Sequence, residues 1–210
     1  MRIIDISVPV RDDMPVWPGD PPAHIDRAKA IAKGDPCNVS RLSLGAHTGT
    51  HVDAPYHFIE KGRRMEGIPL DVLMGPCRVI EAAPGPLIER KDLERYGIEP
   101  RGRVLFKTAN SALWRSHPAE FRKNFTALSP GAAAFLAERE ALLVGIDYLS
   151  IESFHAEGGL VHRTLLGKNI VILEGLDLSC ATPGNWELIC LPLSIPGAEG
   201  APARAILREL

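Results

Sequence analysis

At 210 residues the chain is long enough to bury a core without help from disulfides, and 45% hydrophobic against 24% charged residues is a globular balance that excludes wholesale disorder or a fibrous repeat. Lys+Arg 24 against Asp+Glu 26 leaves a net charge of -2, without the basic excess of a nucleic-acid binder. No apolar run approaches the roughly 20 residues that span a bilayer, and the acid at Asp5 comes too early for a secretory h-region.

In chain order, apolar runs predict strands over residues 3–10, 39–44, 77–80, 104–106, 142–146, 170–173, 188–191 and 203–207. Several are continuously apolar, the pattern of strands covered on both faces. Helices are expected over 91–96, ending at Gly97; over 131–140, where Ser129 can cap and Pro130 suits the first helical position; and over 160–166, closed by Gly167. Residues 184–200 read as a strand followed by a loop. The 18 prolines and 19 glycines punctuate short runs, which favours tight turns over long helices. With no internal repeat or polar linker, the expected architecture is a single α/β domain over 1–210 with a mixed, strand-rich core. Cys37, Cys77, Cys180 and Cys190 form no Cys-x-x-Cys pair and read as scattered core thiols of a reducing compartment, so the expected setting is cytoplasmic.

Chemistry concentrates in His47-Thr48-Gly49-Thr50-His51-Val52-Asp53-Ala54-Pro55-Tyr56-His57, which holds three of the seven histidines. Imidazole and carboxylate are the donors that zinc, manganese and iron accept. His51 and Asp53 are two apart and share a face of an extended segment, and His47 and His57 have the same parity. Gly49 and Pro55 predict bending in between. Glu174 ends the apolar run 170–173, where a carboxylate is costly unless paired or bound to a metal. Asp147 stands in the same position after 142–146 and reads as the hydrogen-bonding partner of a turn. Of the remaining histidines, His155 and His162 lie nearest Glu174, and their residue types alone do not choose between them.

The histidine segment resembles the His-x-Gly-Thr-His-x-Asp-x-Pro-x-His signature of the metal-dependent cyclase family, which includes bacterial kynurenine formamidases and isatin hydrolases. The resemblance continues through Asp5-Ile6-Ser7, Trp17-Pro18-Gly19-Asp20, Gly75 to Ile80, Gly145-Ile146-Asp147, Ile172 to Leu176 and Glu187 to Leu193. It implies a swivelling β/β/α fold assembled as a homodimer or homotetramer. It implies also one or two divalent metal ions, zinc with manganese as the alternative. His47, His51 and Asp53 would hold the first. Asp53 would bridge to a second completed by His162 and Glu174, with His162 preferred over His155 for its spacing to Glu174. His57 would be the proton shuttle rather than a ligand, and Trp17 would line the substrate pocket. The implied reaction is hydrolysis of an aryl formamide by metal-activated water, N-formylkynurenine to kynurenine and formate, a step of tryptophan catabolism.

One segment departs from the formamidases, which follow Gly-Ile-Asp with Thr-Pro-Ser and an Asp-Pro-x-x-Ser-Lys stretch. Here the sequence runs Tyr148-Leu149-Ser150-Ile151-Glu152-Ser153-Phe154-His155. Opening of a cyclic amide, as in isatin hydrolase, is therefore an alternative. An elimination on a chelated hydroxy-acid and a non-catalytic metal-binding role are others, though a storage site has no need of His57. A serine hydrolase is excluded by the lack of any Gly-x-Ser-x-Gly.

Overall fold

The computed structural model describes residues 1–210. Its strands are β1 (Ile3–Asp5), β2 (His24–Lys29), β3 (Val39–Ser43), β4 (His51–Asp53), β5 (Met74–Glu81), β6 (Leu87–Ile88), β7 (Arg103–Lys107), β8 (Ala127–Leu128), β9 (Leu143–Ile146), β10 (Val171–Glu174), β11 (Gly184–Pro192) and β12 (Gly200–Arg208). The helices are short: α1 (Leu70–Leu73), α2 (Arg90–Leu93), α3 (Leu113–Ser116), α4 (Pro130–Glu138) and α5 (Leu160–Leu166).

The main sheet has the order β1-β12-β11-β5-β7-β9-β10-β4, and β4 pairs back onto β12, so seven strands close into a barrel with β1 on its flank. Strands β5, β7, β9 and β10 run parallel; all other pairings in this sheet are antiparallel. The alternation of side chains along a strand divides the parallel strands between two cores. Val79, Leu105, Leu143 and Leu173 point into the barrel, packed with Trp186 and Leu188. Ile80, Val104, Phe106, Val144 and Ile172 point outward and are covered by Leu93, Leu136 and Leu165 of the helical layer. Burial on both faces is why these strands are continuously apolar in sequence.

Three expectations are corrected, and one strand, β2, was not expected. Residues 3–10 are not one strand: β1 ends at Asp5, the Ile6 amide still donates to the Ala205 carbonyl of β12 at 3.1 Å, and beyond it Ser7 bridges to Leu176 while the Val8 amide donates to Thr50 Oγ1 at 2.9 Å. Strand β2 carries no apolar pattern because it forms, with β3, a separate ribbon that is mostly exposed. The helix expected at 91–96 breaks into α2, capped by a reciprocal Glu89/Asp92 box, and a 3-10 turn over Glu94–Tyr96. Only Cys77 and Cys190 are core thiols; Cys37 and Cys180 are exposed, and all four are free. Helix α4 keeps its expected cap, with Ser129 Oγ accepting from the Ala132 amide, and α5 has the expected bounds.

Candidate metal centre

Strand β4 is where sheet geometry becomes site geometry. Val52 faces the barrel interior, so His51 and Asp53 face the helical side. The antiparallel register sets His51 opposite Glu174 and Asp53 opposite Ile172. Glu174 shares the outward parity of Ile172, and so emerges beside them. Helix α5 completes the group: His162 lies on the buried stripe it forms with Leu165 and Leu166, one turn along the same face. Gly175 permits the close approach behind Glu174; its φ is +69°, and a Cβ there would lie 1.9 Å from the Gly49 carbonyl oxygen. The expected bend is also present: only residues 51–53 are strand, His47 sits in the turn before it and His57 in the 3-10 turn Pro55–His57. Shared parity therefore accounts for His51 and Asp53, not for His47 and His57.

Two donor groups result, His47–His51–Asp53 and Asp53–His162–Glu174, each with its ligand-type atoms within 4.8 Å of one another and with Asp53 common to both. His51 Nδ1 lies 2.9 Å from the Gly49 carbonyl, which can only accept, so Nδ1 carries the proton and Nε2 presents its lone pair. That Nε2 lies 3.3 Å from Glu174 Oε2 and 3.4 Å from Asp53 Oδ1. A lone pair facing two carboxylate oxygens is repulsive unless a positive centre sits among them. His51 Nε2, His47 Nε2 and Asp53 Oδ2 are buried without a hydrogen-bond partner, and such groups are costly unless satisfied. Nitrogen and carboxylate oxygen in this arrangement fit a divalent cation.

The electrostatics agree. Burial alone would push the His47 imidazole down, but the Asp53 carboxylate, 2.8 Å from its Nδ1, overrides this and holds it at about 9. Burial likewise opposes a proton on His162, yet its hydrogen bonds to Glu152 and Glu174 hold it at about 10. Burial would raise Asp53, and the neighbouring His47 instead keeps it well below the usual carboxylate range. The cluster is a negative well that collects positive charge, as protons or as metal.

His57 belongs to neither donor group. Its ring stacks on His47 at 4.0 Å between centroids and lies 6.0 Å from His162. Burial pushes its pKa down, and the cationic neighbours His47 and His162 add to this against the pull of Asp53, which favours a neutral base. It opens onto a cavity of about 370 Å³, a volume suited to a small molecule. Trp17 lines the same cavity, in edge contact with Phe121 at 5.4 Å and tilted against Phe154 at 5.3 Å. His155 is not part of the cluster; it is exposed and its Nε2 meets Asn124 Oδ1 at 3.0 Å. Asp147 is the turn partner expected of it, accepting from the amide and hydroxyl groups of both Thr108 and Ser111. Two neighbours went unnoticed in the sequence. Phe58 stacks on His162 at 4.5 Å, and Glu152 Oε2 lies 2.7 Å from His162 Nδ1. The only sequence signal for Glu152 was an acid set among Ile151, Leu149 and Phe154.

Comparison with known proteins decides the family. The cyclase family model, described as "Putative cyclase", matches residues 4–153. The chain belongs to the cyclase family. It is similar to the kynurenine formamidase of Maricaulis maris, 38% identical over 211 residues covering 100% of this chain and 99% of that one. It is similar also to the kynurenine formamidase of Bacillus mycoides, 34% identical over 207 residues covering 99% and 97%. Among solved structures, one described as a "Potential Metal-Dependent Hydrolase With Cyclase Activity" superposes with TM-score 0.85 at 34% identity, covering 98% of this chain and 96% of that one. Isatin hydrolase A from Labrenzia aggregata superposes with TM-score 0.86 at 23% identity, covering 98% and 93%, a likeness of fold alone.

Proposed function

We propose that this cyclase-family chain is a metal-dependent hydrolase of amide C–N bonds that acts on an aryl formamide, N-formylkynurenine being the substrate that the family resemblance implies. The observation that carries this reading is a two-part donor cluster sharing one carboxylate, with orphaned buried atoms, facing an aromatic cavity that also holds a histidine outside both donor groups. His47, His51 and Asp53 would hold one cation, and Asp53, His162 and Glu174 a second, with zinc the preferred ion and manganese the alternative. When bound, a divalent cation brings the pKa of water down from 15.7 to about 7 and polarises a carbonyl oxygen. His57, its pKa pushed down first of all by burial, is available to take up a proton and pass it to the departing nitrogen. Trp17, Phe58 and Phe154 offer flat apolar faces to an aryl ring and keep water from it.

A cyclic amide is the second reading. It is favoured by the segment that departs from the formamidases, since Leu149, Ser150, Ser153 and Phe154 of that segment line the cavity. Product analysis separates the two: formate from N-formylkynurenine supports the first, and ring opening without formate the second. Metal content measured on the same purified protein tests the shared premise, because an active protein that retains full rate after exhaustive chelation is not this enzyme.

We propose further that the chain works as one catalytic unit in the cytoplasm, assembled as a homodimer or homotetramer. Free thiols support the compartment, and no helix is long and apolar enough to cross a membrane. Exposed Ile31, Val39 and Leu42 on or beside the β2–β3 ribbon support assembly, since a lone two-stranded ribbon is marginal in water. Light scattering on the eluted peak measures the copy number.

A further inference from the structure

Glu152 sits outside both donor groups and is 5% exposed. Its Oε2 lies 2.7 Å from His162 Nδ1 and accepts from the His162 amide at 3.3 Å. The first of these contacts decides the tautomer. A carboxylate can only accept, so Nδ1 must carry the proton and Nε2 is turned toward Glu174 Oε1 at 3.3 Å and Asp53 Oδ2 at 3.9 Å. The second contact ties the same carboxylate to the start of α5, whose N-cap Gly159 has no side chain to offer the unpaired amides there. Phe58 covers one face of the imidazole by stacking on it. Adjacent to Glu152, the Ile151 amide donates to Glu174 Oε1 at 2.7 Å. Two successive residues thus orient two donors of one group, one through its backbone and one through its side chain. No comparable carboxylate stands behind His51, whose Nδ1 donates to a main-chain carbonyl.

We infer that Glu152 is a positioning residue for the second metal position, fixing His162 with Nε2 toward the ion, and that it tunes affinity there while leaving the His47–His51–Asp53 position alone. The inference rests on the metal-centre reading above and deepens it. A carboxylate behind a histidine ligand holds its ring and raises its basicity, and its loss commonly weakens metal binding 10–100-fold.

The experiment is titration of metal-free protein with Zn²⁺ against a chromophoric competitor, for the wild type, Glu152→Ala and Glu152→Gln, with melting of the metal-free forms in parallel. Glutamine keeps the size and an oxygen acceptor but loses the charge. The expected result is two equivalents in the wild type. Glu152→Ala should raise Kd for one equivalent by about 10–100-fold while the other stays within about twofold, and Glu152→Gln should fall between. Should alanine fail to fold, glutamine carries the test. Wild-type affinities for both equivalents in Glu152→Gln, with or without a lower melting temperature, would overturn the inference and reduce Glu152 to a helix anchor. Equal weakening of both equivalents would overturn it too. A wild-type protein that takes up no Zn²⁺ would instead sink the metal-centre reading itself, so the two failures are distinct.

Discussion

His47, His51 and Asp53 come from one short stretch of chain, whereas the group they share Asp53 with draws His162 from a helix and Glu174 from the end of a strand. The near group needs little beyond the bend at Gly49 and the alternation of β4. The far group needs the β4–β10 register, the packing of α5 on the outer face of the barrel, and Glu152 to turn the ring. The difference teaches that one centre can be half motif and half fold. Substitution in the near group should act through lost donors alone, and disturbance of the fold should be felt first in the far group.

Asp53 is the point at which the comparison breaks most severely. Asp53→Ala should empty both positions together and lower kcat/KM by about 10³–10⁴, the several kcal/mol that metal activation contributes. Elemental analysis beside the rate measures both. Retention of one full equivalent would show that the two groups do not share this carboxylate.

His57 belongs to the same local segment as the near group but to neither donor set, so it separates chemistry from metal retention. His57→Ala should keep the metal content near normal while kcat falls by about 10²–10⁴, the range of a positioned acid–base group. The loss should be steepest for formanilides with poor leaving groups, because those need protonation at nitrogen. Depleted metal in this variant would make His57 a ligand, and a lower melting temperature with no leaving-group trend would make it structural.

What could be read in advance divides along the same line. His51 and Asp53 were legible because a strand of period two writes its faces into the sequence. His162 was not distinguishable from His155 by its own surroundings in sequence, since an amphipathic helix does not declare which buried polar position points at a neighbour's carboxylate. The family resemblance made that choice, and the packing of α5 places His162 in the cluster. Glu152 was overlooked because its partner is reached across the segment joining it to α5, and no periodicity links the two. In the fold, the parallel strands were visible as continuous apolar runs because two cores press on them. Of the β2–β3 ribbon only β3 was visible, as the run 39–44; β2 was not, the ribbon having no core of its own. The run 3–10 looks like one long strand in sequence because its apolar residues 6 and 8 stay buried past the end of β1, the Ile6 amide still on the Ala205 carbonyl and the Val8 amide on the Thr50 hydroxyl.

Protons give a graded test of the two groups. Metal-free, His47 is held at about 9 and His162 at about 10, so at pH 7 both are charged, one in each group. Cations must displace these protons, and filling both positions should release about two protons per chain. Calorimetry in buffers of different ionisation enthalpy counts them, and affinity should strengthen as pH rises toward 9. The sign for folding is the opposite. Both imidazoles are raised above their ordinary 6.5, so their contribution to the metal-free fold is fully present below 6.5 and is lost as pH rises through about 9 to 10. Melting of chelator-treated protein should therefore fall across that window, and a melting temperature that climbs through it would contradict the charge arrangement derived for the cluster.

The smallest expected effect is at His155, and it closes the comparison because His155 is the histidine that residue type alone does not separate from His162. The two differ in what surrounds them. His162 is buried against three carboxylates and an aromatic ring, and its Nε2 points at the donors. His155 lies on the other side of the segment 153–156, on a separate, larger cavity of about 800 Å³, where its Nε2 meets the Asn124 side chain in the open. An exposed imidazole with one neutral partner contributes little, so His155→Ala should change stability by no more than about 0.5 kcal/mol and leave both metal equivalents in place. His162→Ala should remove one equivalent and spare the other. The discriminating measurement is metal stoichiometry on the two variants side by side. Loss of metal from the His155 variant with full retention in the His162 variant would reverse the assignment of the far group, and would mean that the segment 150–155 folds over the cluster in the active protein.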